Sequence, residues 1–189
     1  MQTKLYLEGF YRFNGVTYSE TVKAHLTDIK NYSDSKNYKE SINSLELSTL
    51  STLLVQEIVH GLPDDIQHFI ASKTITWGAT SNGKGFSLRP HSDYVWGVGH
   101  MPGACANIVL WLCPEKFEGR EFIYGRTLEE TGEPYPPYEW GDANLVQLGE
   151  IKPATGMGIL LDRVNPKWWH GVKELKSDHR VITITGQII

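Results

Sequence analysis

The chain has 189 residues, 40% of them hydrophobic and 11% aromatic, with a net charge of −4 and a sequence pI near 6.0. That length supports one domain with a sizeable core, and the composition excludes a disordered chain. No basic run or stripe is present, which argues against nucleic acid as an obligate partner; no apolar run approaches the ~20 residues that span a bilayer.

The N-terminus lacks the charged-then-apolar pattern of a secretory signal. Cys105 and Cys113 are eight apart in one apolar run. On a strand rising ~3.3 Å per residue they cannot meet as a disulfide, so free thiols and a cytoplasmic location are expected.

Residues 4–22 alternate and contain Asn14-Gly15, a strong short-range hairpin signal. A hairpin is expected there, as an edge of the main sheet or a flap. Residues 23–47 are polar, with Asn31, Ser33, Asp34, Ser35, Lys36 and Asn37 clustered, and read as a solvated connection with room for short helix. Ser48 to Gly61 has helical spacing at Leu50, Leu53, Leu54 and Ile58, with Ser48 as a cap and Gly61 and Pro63 as the stop. Pro63 to Ala71 predicts a second, short helix, with Asp64 and Asp65 near the positive end of its dipole. Both helices are expected to cover one outer face of a sheet, and His60 and His68 read as ordinary helix histidines.

From Lys73 onward the period changes to two. Strands are predicted at 74–77, 104–112, 121–124, 146–148, 150–153, 157–161, 169–175 and 180–188, with Ser81–Gly85 as a turn, Phe86 to Arg89 leading into the His91-x-Asp93 corner, and Gly119, Gly149, Gly156 and Gly158 as breaks. About eight short strands without βαβ alternation predict a sandwich, jelly roll or barrel. The expected class is mainly β with N-terminal helices: residues 1–72 form a hairpin and helices packed on a core of 73–189, in a single domain overall. Arg126 to Asn144 interrupts the strands with Pro134-Tyr135-Pro136-Pro137-Tyr138 and Trp140. A loop of that length in a compact domain is usually functional or disordered. Both a lid against a substrate and a surface excursion pinned by its own aromatics stay open.

His91 and Asp93 are two residues apart, so at a strand end both point to one face. His170 opens a second apolar strand, and Arg180 opens a third, ten positions later. Two imidazoles and one carboxylate make the facial set of a non-heme Fe(II) site with open positions, and an arginine nearby is a fork for a carboxylate. The set His91-x-Asp93, His170-Gly171-Val172 and Arg180 resembles the 2-oxoglutarate/Fe(II)-dependent dioxygenase superfamily over residues 73–189, including its compact prolyl-hydroxylase-like branch.

The resemblance implies a double-stranded β-helix, the jelly-roll or cupin-like barrel, with the site on its second, seventh and eighth core strands. It implies His91, Asp93 and His170 as Fe(II) ligands, and Arg180 on the distal carboxylate of 2-oxoglutarate. Cofactors would be Fe(II), 2-oxoglutarate and O2, with ascorbate as an accessory. The activity implied is hydroxylation of an amino acid, a peptide side chain or a small natural product, with decarboxylation of 2-oxoglutarate to succinate. Asp93 occupies the position that halogenating relatives give to a small residue, which argues against halogenation. Ile182 stands where many relatives carry a Ser or Thr beside the arginine.

Asn107, a lone amide in an apolar strand, is the candidate for a polar contact to the cosubstrate, with a bond to neighbouring backbone as the alternative. Trp77, Arg89 and Trp140 are candidate substrate contacts; Arg89 is equally suited to a surface ion pair of little energetic weight. His100 and His179 are not expected to be ligands. Two other readings compete: a cupin-type metal enzyme that does not use 2-oxoglutarate, and a non-catalytic metal-binding module. The pattern does not separate hydroxylation from desaturation, epoxidation or cyclisation, and it fixes no oligomeric state.

Overall fold

A computed structural model describes residues 8–35, 52–93, 106–129 and 138–188. The described residues form three helices, α1 (Glu20–Ser35), α2 (Thr52–His60) and α3 (Asp64–Ile70). They also form nine strands: β1 (Phe10–Asn14), β2 (Ile75–Asn82), β3 (Leu88–His91), β4 (Ala106–Leu112), β5 (Phe122–Thr127), β6 (Leu145–Ile151), β7 (Met157–Asp162), β8 (Trp168–Val172) and β9 (Val181–Ile188). One sheet has the order β1-β7-β4-β9-β2 and the other β3-β8-β5-β6, with antiparallel pairing throughout. Two facing antiparallel sheets built from alternating chain segments are the double-stranded β-helix, or jelly roll.

Alternation along β4 shows how the sequence builds the layers. Ile108 and Leu110 face the helices, in a core with Val22, Leu26, Leu54, Ile58 and Ile66. Val109 and Trp111 face the second sheet, in a core with Phe122, Ile159, Leu161, Val172 and Val181. A strand covered on both faces must be apolar at nearly every position, which is why β4 reads as one continuous hydrophobic run.

α1 corrects the expectation of a solvated connection. Glu20, Lys23 and Asp28 face outward, but Val22, Leu26 and Ile29 are buried on one stripe at 0%, 0% and 3% exposure. Burial stabilises by roughly 1.5–3 kcal/mol per large side chain, against a few tenths per residue for indifferent helix propensity. The stripe therefore decides the conformation.

The expected hairpin is also corrected. Gly15 does turn, with φ +86, and β1 does lie at the edge of the main sheet. Its partner, however, is β7, with Phe10 opposite Leu161 and Asn14 opposite Met157. After the turn, Val16 N–H donates to Gly156 O and Thr17 N–H to Gly61 O, so no return strand forms.

Two smaller differences matter for the site. β6 runs unbroken through Gly149, and β2 continues through Ser81 and Asn82, where a turn was expected. Trp77 lies on the helix-facing side of β2, where it borders a cavity of about 540 Å³ together with Val55, Val59, His60 and His68. Several sequence expectations fall outside the described residues: the Ser48 cap, Lys36 and Asn37, His100, Cys105, and Pro134 to Pro137. No helix among the described residues is long and apolar enough to cross a membrane.

Candidate active site

The register of β3 against β8 sets His91 opposite His170. The two rings lie 4.4 Å apart, tilted by 56°. Asp93, just past the end of β3, lies between them: its Oδ1 is 3.7 Å from His91 Nε2, and its Oδ2 is 3.8 Å from His170 Nε2. One donor atom from each of the three lies within 4.8 Å of the others. Residues 79 positions apart in the chain thus converge because two neighbouring strands of the smaller sheet run antiparallel.

The surroundings prepare each donor. His91 Nδ1 donates to Arg89 O at 2.8 Å, which fixes the ring and leaves Nε2 with its lone pair toward Asp93. His170 stacks on Phe122, with centroids 5.3 Å apart and planes 16° from parallel. Burial, opposed by the Asp93 charge and reinforced by His91, pushes the His170 imidazole down to about 4. Neutral imidazole is the form that binds metal. For Asp93, burial alone would raise the carboxyl. His170, His91, Arg163 and the Asn107 hydrogen bond outweigh it and hold the group ionised, below its ordinary value.

The lowered His170 value has a consequence for stability. In the unfolded chain the imidazole binds its proton near pH 6.5, whereas in the fold it does so near 4. Between those values the unfolded state holds more protons, so stability rises with pH and falls on acidification. The depressed Asp93 acts in the same direction at lower pH. Metal-free protein should lose on the order of 2 kcal/mol between pH 7 and pH 4.5. Urea titrations at the two pH values would measure this loss, and it should shrink in His170→Gln.

Asn107 is buried and donates from Nδ2 to Asp93 Oδ2 at 2.5 Å. Its Oδ1 accepts from Arg163 Nη1 at 3.3 Å. The amide predicted for the cosubstrate therefore orients the carboxylate, with a buried guanidinium behind it. Arg163, in the segment after β7, carried no motif in the sequence.

Arg180 is buried, and its Nη1 donates to Ser81 O at 3.1 Å. It precedes β9, on whose alternation it belongs with the helix-facing Ile182 and Ile184 rather than with the inward Val181. Arg89 is on the rim, in an exposed ion pair with Glu139 at 2.6 Å. Trp140 stacks edge-on to Trp169 at 6.4 Å, and its ring lies over Gly171. Gly171 alternates with His170, so Trp140 is on the outer face of the second sheet. Tyr138, whose N–H donates to Pro90 O, lies there as well. The described part of the long loop is therefore pinned outside, by its own aromatics. Trp77 and Trp140 do not reach the triad.

Another polar group inside the barrel had escaped the sequence reading. Arg120, immediately before β5, is 3% exposed and is the one non-glycine residue with positive φ (71°) among the described residues. Its Nη2 donates to Asn82 Oδ1 at 2.6 Å and to Thr183 Oγ1 at 2.9 Å, and its guanidinium lies 4.7 Å from the Phe86 ring centroid. Burial lowers the guanidinium to about 10. The neighbouring Cys113 thiol is pushed up to about 12, chiefly by burial, so it stays neutral. The only sequence cue was Gly119-Arg120 at a strand start, which reads as turn chemistry.

No protein-family model matches the chain, and no curated protein matches it in sequence. Solved structures share its fold. The viral collagen prolyl hydroxylase vCPH from Paramecium bursaria Chlorella virus-1, in a 2OG complex, is 14% identical, with 95% of this chain and 94% of that chain covered at a TM-score of 0.55. A Pseudomonas putida prolyl-4-hydroxylase is 12% identical, with 98% and 95% covered at 0.54. HygX from Streptomyces hygroscopicus, with nickel and 2-oxoglutarate bound, is 13% identical, with 98% and 86% covered at 0.61. At such identities the likeness is one of fold.

Proposed function

We propose that the chain is a non-heme Fe(II)/2-oxoglutarate-dependent oxygenase in which His91, Asp93 and His170 hold the metal. The observation that carries this reading is the convergence of two imidazole nitrogens and a carboxylate on one point of a jelly roll. The donor set fits the group: neutral nitrogen and carboxylate ligands on one face suit Fe(II) and leave positions open for cosubstrate and oxygen. Bound Fe(II) would supply the redox chemistry, with decarboxylation of 2-oxoglutarate to succinate.

The chain's own residues bind and orient. His91 is fixed through Arg89 O, His170 through Phe122, and Asp93 through Asn107 and Arg163. The apolar wall of Val109, Trp111 and Phe122 excludes water from the interior. A cupin-type enzyme working without a 2-oxo acid has no evident use for a buried guanidinium, and this chain buries Arg120 on neutral partners among the described residues.

Supported substrates are an amino acid, a peptide side chain or a small natural product, since the fold neighbours include prolyl hydroxylases and HygX with hygromycin B bound. Asp93 keeps halide out of the coordination sphere. A reducing compartment such as the cytoplasm suits both Fe(II) and the free thiol of Cys113. The test is an anaerobic titration of the protein with Fe(II) and then 2-oxoglutarate. A weak visible charge-transfer band that needs both is expected; metal uptake with no response to 2-oxoglutarate would reject the oxygenase. Candidate substrates are then screened by succinate release above the uncoupled background.

A further inference from the structure

An amide held between a guanidinium and a carboxylate has one orientation that fits. The guanidinium only donates and the ionised carboxylate only accepts, so the amide must turn its oxygen to the first and its nitrogen to the second. Asn107 is placed in this way. Its Oδ1 accepts from Arg163 Nη1 at 3.3 Å, and its Nδ2 donates to Asp93 Oδ2 at 2.5 Å. Asn107 and Arg163 are 7% and 5% exposed, so water competes little for either contact.

The backbone anchors both ends of this arm. Asn107 lies in β4 with Leu161 of β7 as its register partner. Arg163 follows that partner by two residues and continues the alternation of β7 on the same face. Beyond it the chain turns, with Val164 N–H donating to Asp162 Oδ1 at 3.1 Å and Lys167 N–H to Asn165 Oδ1 at 3.0 Å. Side-chain oxygens that accept from the backbone two residues on fix such turns. Asp162 N–H also donates to Gly9 O, which ties the end of β7 to the start of β1.

The contact with Asn107 decides how Asp93 can hold a metal. A carboxylate binds a cation through one oxygen or through two. Oδ2 is occupied by the amide, which leaves Oδ1, 3.7 Å from His91 Nε2, as the ligand atom. Bound through both oxygens, Asp93 would fill one of the positions that a facial set leaves open.

We infer that Arg163 is a positioning residue: by fixing the Asn107 amide it holds Asp93 to a single ligand oxygen and keeps a coordination position for the reactants. The inference rests on the proposed metal-binding reading and deepens it. It gives a part in the site to an arginine that no motif announced, and it assigns Asn107 to the metal's carboxylate rather than to the cosubstrate. Without the guanidinium the amide can turn over, and its oxygen end repels the carboxylate. Oδ2 is then released to join Oδ1 on the metal.

The test is a count of metal-bound water on Mn(II)-loaded protein without cosubstrate, by electron–nuclear double resonance in isotope-enriched water. Wild type should show about three waters, the complement of three protein ligands in an octahedron. Arg163→Met, which keeps the bulk and removes the donors, should show about one fewer, and so should Asn107→Leu. Arg163→Lys should keep the wild-type count, because one donor suffices to orient the amide. A purely structural arginine would lower the melting temperature without changing the count. If Arg163→Met does not fold, Asn107→Leu decides the matter. A wild-type count already one short overturns the inference and leaves the metal site standing. So does an unchanged count in folded Arg163→Met or Asn107→Leu, or a count in Arg163→Lys as low as in Arg163→Met. Wild type that takes up no Mn(II) overturns the metal-binding reading itself.

Discussion

His170→Ala is expected to abolish the Fe(II)- and 2-oxoglutarate-dependent absorbance and to leave purified protein with no stoichiometric metal. Among the described residues three donors converge at the site, and two that remain cannot define a facial set. The loss should exceed the roughly 10–100-fold in metal affinity that follows removal of an outer hydrogen bond alone. The folded state should survive. The imidazole contributes a stacked contact with Phe122, worth about 0.5–1.5 kcal/mol, a small part of ordinary domain stability. Metal analysis beside a thermal melt separates the two effects. A folded variant that still binds one metal ion tightly would show that the ligand set lies elsewhere.

Gly119→Ala should be the most damaging small substitution near the interior. A Cβ there would lie 2.0 Å from the Glu174 carbonyl oxygen, a backbone atom with no freedom to rotate away. The φ of 79° adds a left-handed penalty of about 1–2 kcal/mol, and displacing the segment adds a further 1–3 kcal/mol or so. The contact it would push apart is itself structural: Gly119 bridges to Leu175, Arg120 N–H donates to Glu174 O, and Lys176 N–H donates to Glu118 O. A total of roughly 2–5 kcal/mol is a large fraction of ordinary domain stability and corresponds to a melting temperature lower by about 5–15 °C. Gly85→Ala is the control, since φ is +86° there but nothing lies within 4 Å of the added methyl. A melt showing equal losses at both positions would refute the steric part of the argument.

The eight strands after residue 73 were legible because each is covered on at least one face, and burial writes itself as alternation or as a continuous apolar run. β4 and β9 are the clearest cases. The triad was legible because its chemistry demands those residue types at strand ends. What escaped depended on partners distant in the chain. Asn14-Gly15 supplied the right turn chemistry, but Val16 bonds to Gly156 rather than to a neighbouring strand, and no local pattern encodes that choice. Val22, Leu26 and Ile29 are spaced as an amphipathic helix requires; the signal was present and was outvoted by the polar cluster that follows. Arg120 is the more instructive omission. It is buried just before β5 through a left-handed backbone step that a one-dimensional period of two cannot register.

The order in which the strands are made bears on when the site can exist. β9 lies between β4 and β2 in the main sheet and pairs with both, yet it follows both in the chain. During synthesis, β2 with its helices and β4 with β7 are therefore two unjoined halves, each presenting a raw edge capable of pairing with another molecule. Thr183 arrives with the same strand, so the buried hydrogen bond from Arg120 to its hydroxyl is completed by the act that closes the sheet. Folding yields should be more sensitive to changes in β9 than to equal changes in the peripheral β1.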